Sequence, residues 1–197
     1  MRYTTDHKQK TRARVLAEAS KEIRAKGPHG VGVAGIMKRA GLTHGGFYAH
    51  FRSKDALVAA AIGTMFDNAR TRWNTETENR DARVGLAAYI DFYLSPAHRD
   101  ATATGCPIAA LATDLPRLTT ACRAAFAAGA RRLTDAIAGK LAALGHRDDE
   151  ALARSVVAEL VGALSLARVE PDRTRSDAML AASRRLLRTR LGLGGRS

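Results

Sequence analysis

The sequence predicts an all-α fold of about nine helices, and three observations support that fold class. β-branched and aromatic residues nowhere alternate over the length of a strand, whereas apolar residues recur three and four positions apart along most of the 197 residues. Hydrophobic residues make up 46% of the chain, which is enough to bury a core. Glycine, proline and serine lie between the periodic segments, where helices are expected to end.

The first third of the chain is predicted to form four helices. Gly27 suits the left-handed conformation that ends a helix, and Pro28 cannot continue one. The hydroxyls of Thr43 and Ser53 are placed to cap the third and fourth helices. The predicted ranges are 7–26, 33–40, 43–50 and 53–72.

The remaining two thirds are predicted to form five more helices. Breakers separate them at Ser95-Pro96, Gly105, Gly145 and Glu170-Pro171, and Pro107 is expected at the first position of its helix. The predicted ranges are 82–94, 107–113, 115–144, 148–167 and 175–190.

Positive charge is concentrated near the start of the chain. Residues 1–55 contain twelve Lys or Arg and four Asp or Glu, whereas residues 56–197 contain twenty and fifteen. This asymmetry is typical of a polyanion-binding head, although solvated helix faces explain charge alone equally well. Only together with the helix-turn-helix pattern at 33–51 does this asymmetry predict a DNA-binding domain at 1–55 and a separate domain at 56–197.

Residues 33–51 fit a helix-turn-helix, which is two short helices joined by a tight turn containing glycine. Ile36, Ala40 and Leu42 supply the apolar inner face of the first helix and the turn, and Phe47 and Phe51 supply that of the second. Hydrogen-bonding or side-chain-free residues are left to face outward, as a helix in the major groove requires. They are Thr43, His44, Gly45, Gly46, Tyr48 and His50.

This stretch resembles the TetR family of bacterial transcriptional regulators over about residues 10–57. The shared pattern consists of Ile36, Ala40-Gly41, Tyr48-Ala49-His50-Phe51 and Lys54-Asp55-Ala56-Leu57. Two positions depart from it: Met37 stands where the family often has alanine, and Gly32 where it often has a capping Thr or Ser. Gly32 is a weaker N-cap without a hydroxyl for a phosphate.

The resemblance implies which residues contact DNA. Thr43 and His44 would lie against base edges, and Gly45 and Gly46 would let the backbone approach the duplex. Tyr48 and His50 would bond phosphates, and Lys54 would anchor the DNA backbone at the fourth helix. Arg12 would lie near phosphates or the minor groove. The alternatives are a packed aromatic for Tyr48, a solvated or core histidine for His50 and a solvated face for Arg12.

The resemblance also implies that residues 56–197 bind an effector and form a homodimer. An apolar pocket could be lined by Met65, Phe66, Trp73, Tyr89, Phe92, Tyr93, Cys106 and Phe126, although ordinary core packing would need the same residues. The last two helices are amphipathic and could form a four-helix bundle between two copies. The apolar residues in helical register are Val156, Leu160, Leu164, Ala167, Met179, Leu186, Leu187 and Leu191. A two-fold dimer would present two heads to a pseudo-palindromic operator.

The sequence gives weaker support for other kinds of site. Gly30, Gly32 and Gly35 spell G-x-G-x-x-G, but the preceding segment is charged and helical instead of a buried strand, so dinucleotide binding is not predicted. No metal-ligand spacing or catalytic constellation is found, and we expect no cofactor and no enzymatic activity. Cys106 before Pro107 could be a redox- or electrophile-sensing thiol, but a buried small hydrophobe is the favoured interpretation.

The predicted function is a ligand-responsive transcriptional repressor that binds its operator as a homodimer. The start of the chain is polar and basic and the longest apolar run is short, so a cytoplasmic location is expected and membrane insertion is not. A nonspecific architectural DNA-binding protein is the alternative, and an enzyme using Cys106 is a third hypothesis that lacks a base. The effector, the operator sequence and the sign of regulation are not readable from these residues.

Overall fold

The computed structural model describes the backbone of residues 2–194 and the side chains of residues 6–194. Within that range the chain forms nine α-helices and two 3₁₀ helices and contains no β-strand, which confirms the predicted all-α fold. The 3₁₀ helices are His44–Ala49, called segment 44–49 below, and Leu115–Arg117. The α-helices are α1 (Arg2–Lys26), α2 (Val33–Arg39), α3 (Lys54–Thr77), α4 (Ala82–Tyr93), α5 (Pro96–Asp100), α6 (Pro107–Leu111), α7 (Thr120–Ala143), α8 (Asp149–Val169) and α9 (Arg173–Arg190).

Several predicted helix ends are confirmed by their local geometry. Gly27 has φ +74°, the left-handed conformation that lets it end α1. The Ser53 hydroxyl accepts a hydrogen bond from the backbone N–H of Ala56 at 3.0 Å and thereby caps α3. Pro107 occupies the first turn of α6, where its missing N–H costs nothing.

Two predicted elements were wrong in detail. The predicted helix 43–50 is a 3₁₀ helix, and the Thr43 hydroxyl makes no capping hydrogen bond. Gly45 and Gly46 explain this difference, because paired glycines stabilise an α-helix poorly. The predicted helix 115–144 is broken after Arg117, since Leu118 is extended with ψ 167° and α7 starts only at Thr120.

The sequence pattern does not predict helix α5, since Ser95-Pro96 indicates only the end of a helix. In the structure the Ser95 hydroxyl accepts a hydrogen bond from the His98 N–H at 3.1 Å, and Pro96 takes the first helical position. The same dipeptide that ends α4 therefore starts the next helix.

The chain divides into two compact units, each with its own packing. The first unit comprises Met1–Asn68 and Thr102–Gly129, and the second comprises Ala69–Ala101 and Ala130–Ser197. The boundaries of these units are set by packing within the chain. The functional boundary expected at residue 55 stays a prediction.

In the first unit α1 is held against α3 by an apolar stripe and two polar links. Val15, Ala19 and Ile23 are fully buried. The Ser20 hydroxyl donates to the Ala61 carbonyl at 3.2 Å, and Arg24 Nη2 donates to the Met65 carbonyl at 3.2 Å. The two bonds satisfy the buried Ser20 hydroxyl and Nη2 of Arg24, and they link α1 to α3.

In the second unit α8 packs on α9, and α4 packs on both helices. A buried arginine joins the short helix α5 to α9: Arg99 Nη1 donates to the Ser176 hydroxyl at 2.7 Å and also pairs with Asp177. Hydrogen bonds from Arg99 and Arg173 hold the pKa of the Asp100 carboxyl well below its usual range. Ion pairs and hydrogen bonds thus fix a helix that is too short to be stable alone.

Candidate nucleic-acid interface

The turn between α2 and segment 44–49 has the geometry of a Schellman helix end. Gly41 has φ +70°, and its N–H donates to the Lys38 carbonyl at 3.0 Å, while the Leu42 N–H donates to the Met37 carbonyl at 2.9 Å. Glycine is favoured at position 41 because a side chain is strained at that φ. The turn therefore fixes the direction in which segment 44–49 leaves α2.

The inner face of segment 44–49 is an aromatic pair. Phe47 and Phe51 are 2% and 4% exposed, and their ring centroids are 5.7 Å apart. Met37 is buried as well, and a Cβ placed on Gly46 would lie 3.8 Å from the Met37 methyl carbon. The longer side chain at position 37 is accommodated beside a residue that has none.

The outer face of segment 44–49 carries most of the residues predicted to contact DNA. Thr43, His44 and Gly45 are exposed, and Tyr48 is 70% exposed with its ring set edge-on to Phe47 at 5.2 Å. That exposure rules out the packed-aromatic interpretation of Tyr48. Three other predicted residues, Gly46, His50 and Lys54, are only half-buried, so the outward orientation expected of the first two is partial.

Basic side chains of α1 lie beside this surface. The guanidinium carbon of Arg12 lies 4.9 Å from the centroid of the Phe51 ring, a cation–π contact that holds an exposed side chain in place. Lys10 is paired with Asp6 at 2.8 Å. Burial, together with the charges of Lys8 and Arg12, lowers the pKa of His50 below its ordinary value.

The residues predicted to line an effector pocket fall in both compact units. In the first unit Met65, Phe66 and Cys106 are buried, and Phe66 meets the half-buried Phe126 edge-on at 5.5 Å. A Cβ on Gly129 would lie 2.1 Å from the Phe66 ring, so Gly129 is what lets this ring approach α7. These four residues behave as tightly packed core within their unit.

The second unit brings the other four predicted residues into one aromatic cluster. Trp73 lies 4.6 Å from Tyr89 between ring centroids, and Tyr89 lies 5.9 Å from Tyr93 and 6.4 Å from Phe92. His98, which the sequence did not single out, stacks on Phe92 at 4.9 Å.

His98 extends that cluster because α5 follows α4 directly. Its Nδ1 lies 2.8 Å from the Tyr93 carbonyl, and burial lowers the pKa of the imidazole. The guanidinium carbon of Arg72 lies 4.7 Å from the centroid of the Phe92 ring, a cation–π contact with the cluster. A short helix without a hydrophobic period gave no sequence signal for His98.

Cys106 lies at the N-cap of α6 and is buried. Burial lowers the pKa of the Arg24 guanidinium, which lies in the same unit, to about 10. A sensing role for this thiol stays a prediction beside the simpler interpretation as a small core residue.

Three other kinds of site or segment are absent from the part of the chain that the structure describes. Across residues 2–194 no helix has the length and apolar character to cross a bilayer. Among the same residues no group of three His, Cys, Asp or Glu side chains is arranged to hold a metal ion. Gly30 and Gly32 lie between α1 and α2, and Gly35 lies within α2, so the described residues before these glycines form a helix and not the strand that a dinucleotide-binding motif needs.

One of the apolar residues expected at a dimer face is exposed, and most of the others are buried in the single chain. Val156, Leu160, Leu164 and Leu187 are buried within the chain's own core. The exposed one is Leu186 at 59%, and two further apolar side chains on α8 are exposed as well, Leu166 at 57% and Val169 at 76%. The dimer face on these two helices stays a prediction.

Comparisons with known families agree with this geometry. Residues 15–61 match the family described as bacterial regulatory proteins, tetR family. Residues 82–181 match the family described as transcriptional regulator LmrA/YxaF-like, C-terminal domain. The matched families are regulators, and no catalytic family is indicated.

Individual relatives extend these matches. The chain is 36% identical over 104 residues to the HTH-type transcriptional regulator YdgC of Bacillus subtilis, which covers 48% of this chain and 52% of YdgC. The chain spans about half the length of the curated relatives it matches. A TetR-family transcriptional regulator from Agrobacterium tumefaciens is 26% identical, with a TM-score of 0.79 and coverage of 93% of this chain and 98% of that one. The reduced form of E. coli NemR shares the fold, with a TM-score of 0.81, 22% identity and coverage of 91% and 96%.

Proposed function

Because this chain belongs to the TetR family of bacterial regulatory proteins and is a transcriptional regulator, we propose that it is a repressor released from its operator by a small-molecule effector. In this proposal a homodimer binds a pseudo-palindromic operator, and each copy inserts segment 44–49 into the major groove. A protein that binds bacterial DNA acts in the cytoplasm, and this is the location that we propose.

The exposed outer face of segment 44–49 is the observation that carries this proposal. Tyr48 is 70% exposed while the preceding residue, Phe47, is buried. Segment 44–49 therefore has a polar outer face and an apolar inner face that packs in the core. We assign base edges to Thr43 and His44 and phosphates to Tyr48, His50, Lys54 and Arg12. The Tyr48 hydroxyl is suited to contact a DNA phosphate because the side chain is exposed to solvent.

The dimer is proposed to form through α8 and α9, where exposed apolar side chains remain. Leu166 and Val169 are three residues apart and therefore share a face of α8, and Leu186 lies on α9, which packs against α8. Two helices from each copy would bury these side chains in a four-helix bundle. A two-fold arrangement of this kind presents two recognition segments to two half-sites.

The effector is proposed to bind among the aromatic residues of the second unit or the apolar residues of the first. The cluster of Trp73, Tyr89, Phe92 and Tyr93 in the second unit supports aromatic or apolar ligands. In the first unit the candidate contacts are Met65, Phe66, Cys106 and Phe126. An effector releases DNA only if it binds the DNA-incompetent form more tightly than the competent one.

A direct titration tests the proposed function. Duplexes from the region upstream of the chain's own gene are compared by fluorescence anisotropy with shuffled duplexes of equal length and composition. We expect roughly 10³-fold or greater preference for one upstream duplex at physiological salt. Equal affinity for both duplexes would favour the nonspecific architectural alternative.

Gly45 provides a matched pair of substitutions on the proposed surface. A Cβ at Gly45 or at Gly35 in α2 would meet no atom of the chain within 4 Å, so alanine at either position is expected to preserve folding. If the backbone at Gly45 lies against the duplex, Gly45→Ala lowers operator affinity by roughly tenfold or more, whereas Gly35→Ala leaves it within a factor of about three. The measurement is operator binding by both variants after their melting temperatures are compared, and equal affinities would exclude close approach at Gly45.

A further inference from the structure

His50 combines a buried ring nitrogen with a half-buried position beside the proposed DNA surface. It follows segment 44–49 directly, and its N–H donates to the Phe47 carbonyl at 2.9 Å. Its Nδ1 atom is buried and has no hydrogen-bond partner among the described residues. The ring is half-buried against Phe51, at 6.5 Å between centroids, which leaves Nε2 as the nitrogen able to reach a phosphate.

The surroundings of the ring disfavour two of its three protonation states. The imidazolium and the Nδ1–H tautomer both place an N–H at the buried Nδ1, where no acceptor receives it. The charges that act on the ring come from α1, where Lys8 and Arg12 are both cationic and repel an imidazolium. The remaining state is the neutral imidazole with its proton on Nε2.

We propose that His50 contacts the DNA backbone as a neutral Nε2–H donor, so that DNA binding takes up no proton at this residue. The inference rests on the proposed DNA-binding function and specifies the chemistry of one contact in it. A charged histidine at this position would strengthen DNA binding as the pH falls, because binding would then be linked to protonation. A neutral donor supplies a hydrogen bond to phosphate that is constant over the same pH range.

Long-range ¹H–¹⁵N NMR of the full chain reads the protonation state directly. Spectra are recorded between pH 6 and 8, free and with a mixed-sequence 30-base-pair duplex, a probe that suits a phosphate contact because it needs no operator. We expect His50 to show a protonated Nε2 and an unprotonated Nδ1 in both states. The exposed His29, which is not among the residues assigned to DNA, is the internal reference in the same spectra. Two protonated nitrogens on His50 in the complex would overturn the proposal.

Affinity measurements with two substitutions give a second readout. His50→Gln places an uncharged amide donor near the position of Nε2, and we expect it to keep duplex affinity within about threefold, while His50→Ala loses roughly tenfold. The pH dependence of binding between 6 and 8 is expected to be the same for the wild-type chain and His50→Gln. A wild-type affinity that rises toward pH 6 when that of His50→Gln does not would refute the neutral donor.

These outcomes are separable from failure of the proposed function. If the wild-type chain binds neither the mixed duplex nor any upstream duplex, DNA binding itself is wrong. If binding occurs and His50→Ala binds as tightly as the wild type, the contact assigned to His50 is wrong while DNA binding stands.

Discussion

Phe47→Ala is expected to abolish operator binding and to lower the free energy of unfolding by about 3–5 kcal/mol. The Phe47 ring is 2% exposed and stacks with Phe51 at 5.7 Å, so its removal leaves a cavity beneath segment 44–49. A 3₁₀ helix with two glycines has little stability of its own. Urea denaturation gives the stability loss, and anisotropy with the operator gives the loss of binding.

Tyr48→Ala is the matched control for that substitution. Tyr48 is adjacent in sequence and aromatic, but it is 70% exposed, so its removal should change stability by less than about 0.5 kcal/mol. Loss of a hydrogen bond to phosphate is expected to weaken binding of all duplexes alike, by about 1.5–3 kcal/mol. Unchanged affinity of Tyr48→Ala at moderate salt would contradict the phosphate contact, and a normal melting curve for Phe47→Ala would contradict the anchoring role of Phe47.

Leu166→Glu is expected to convert the homodimer into monomers. The Leu166 side chain is 57% exposed in the single chain and shares its face of α8 with Val169, so the proposed bundle would bury it. A carboxylate forced into an apolar interface without a partner is strongly unfavourable. Because two linked heads bind two half-sites with an advantage of roughly 10²–10⁴, operator affinity should fall by a comparable factor.

Val84→Glu is the control for the dimer prediction. Val84 is an apolar residue of similar exposure, 51%, but it lies on α4 instead of α8 or α9. Sedimentation velocity of both variants measures the oligomeric state, and we expect a dimer for Val84→Glu and a monomer for Leu166→Glu. A dimer of unchanged stability for Leu166→Glu would place the interface elsewhere.

The helices were predictable where local chemistry and apolar period agreed. Gly27 and Gly41 take the left-handed conformation that helix ends favour, and Phe47 and Phe51 occupy the inner face expected from their spacing of four. The outward polar face at Thr43, His44 and Tyr48 followed from the same spacing. Most of the candidate DNA surface could therefore be predicted from residue types and from the spacing of apolar residues along the chain.

Features that depend on distant contacts were not predictable. Helix α5 has five residues, too few for a hydrophobic period, and its position depends on Arg99 reaching Ser176 and Asp177 in α9. The apolar period of α8 predicts an amphipathic helix but does not tell which leucines face the chain's own core. Only the packing of α8 on α9 and α4 leaves Leu166 exposed while Leu164 is buried.

Selection of bound sequences from a random duplex pool tests the central claim most directly. With the wild-type chain we predict enrichment of one sequence arranged as two inverted half-sites. With His44→Ala we predict loss of preference at one base pair in each half-site, worth about 1–3 kcal/mol, and the same preferences elsewhere. A pool in which no sequence is enriched, or one enriched identically by His44→Ala, would contradict reading of the operator by segment 44–49.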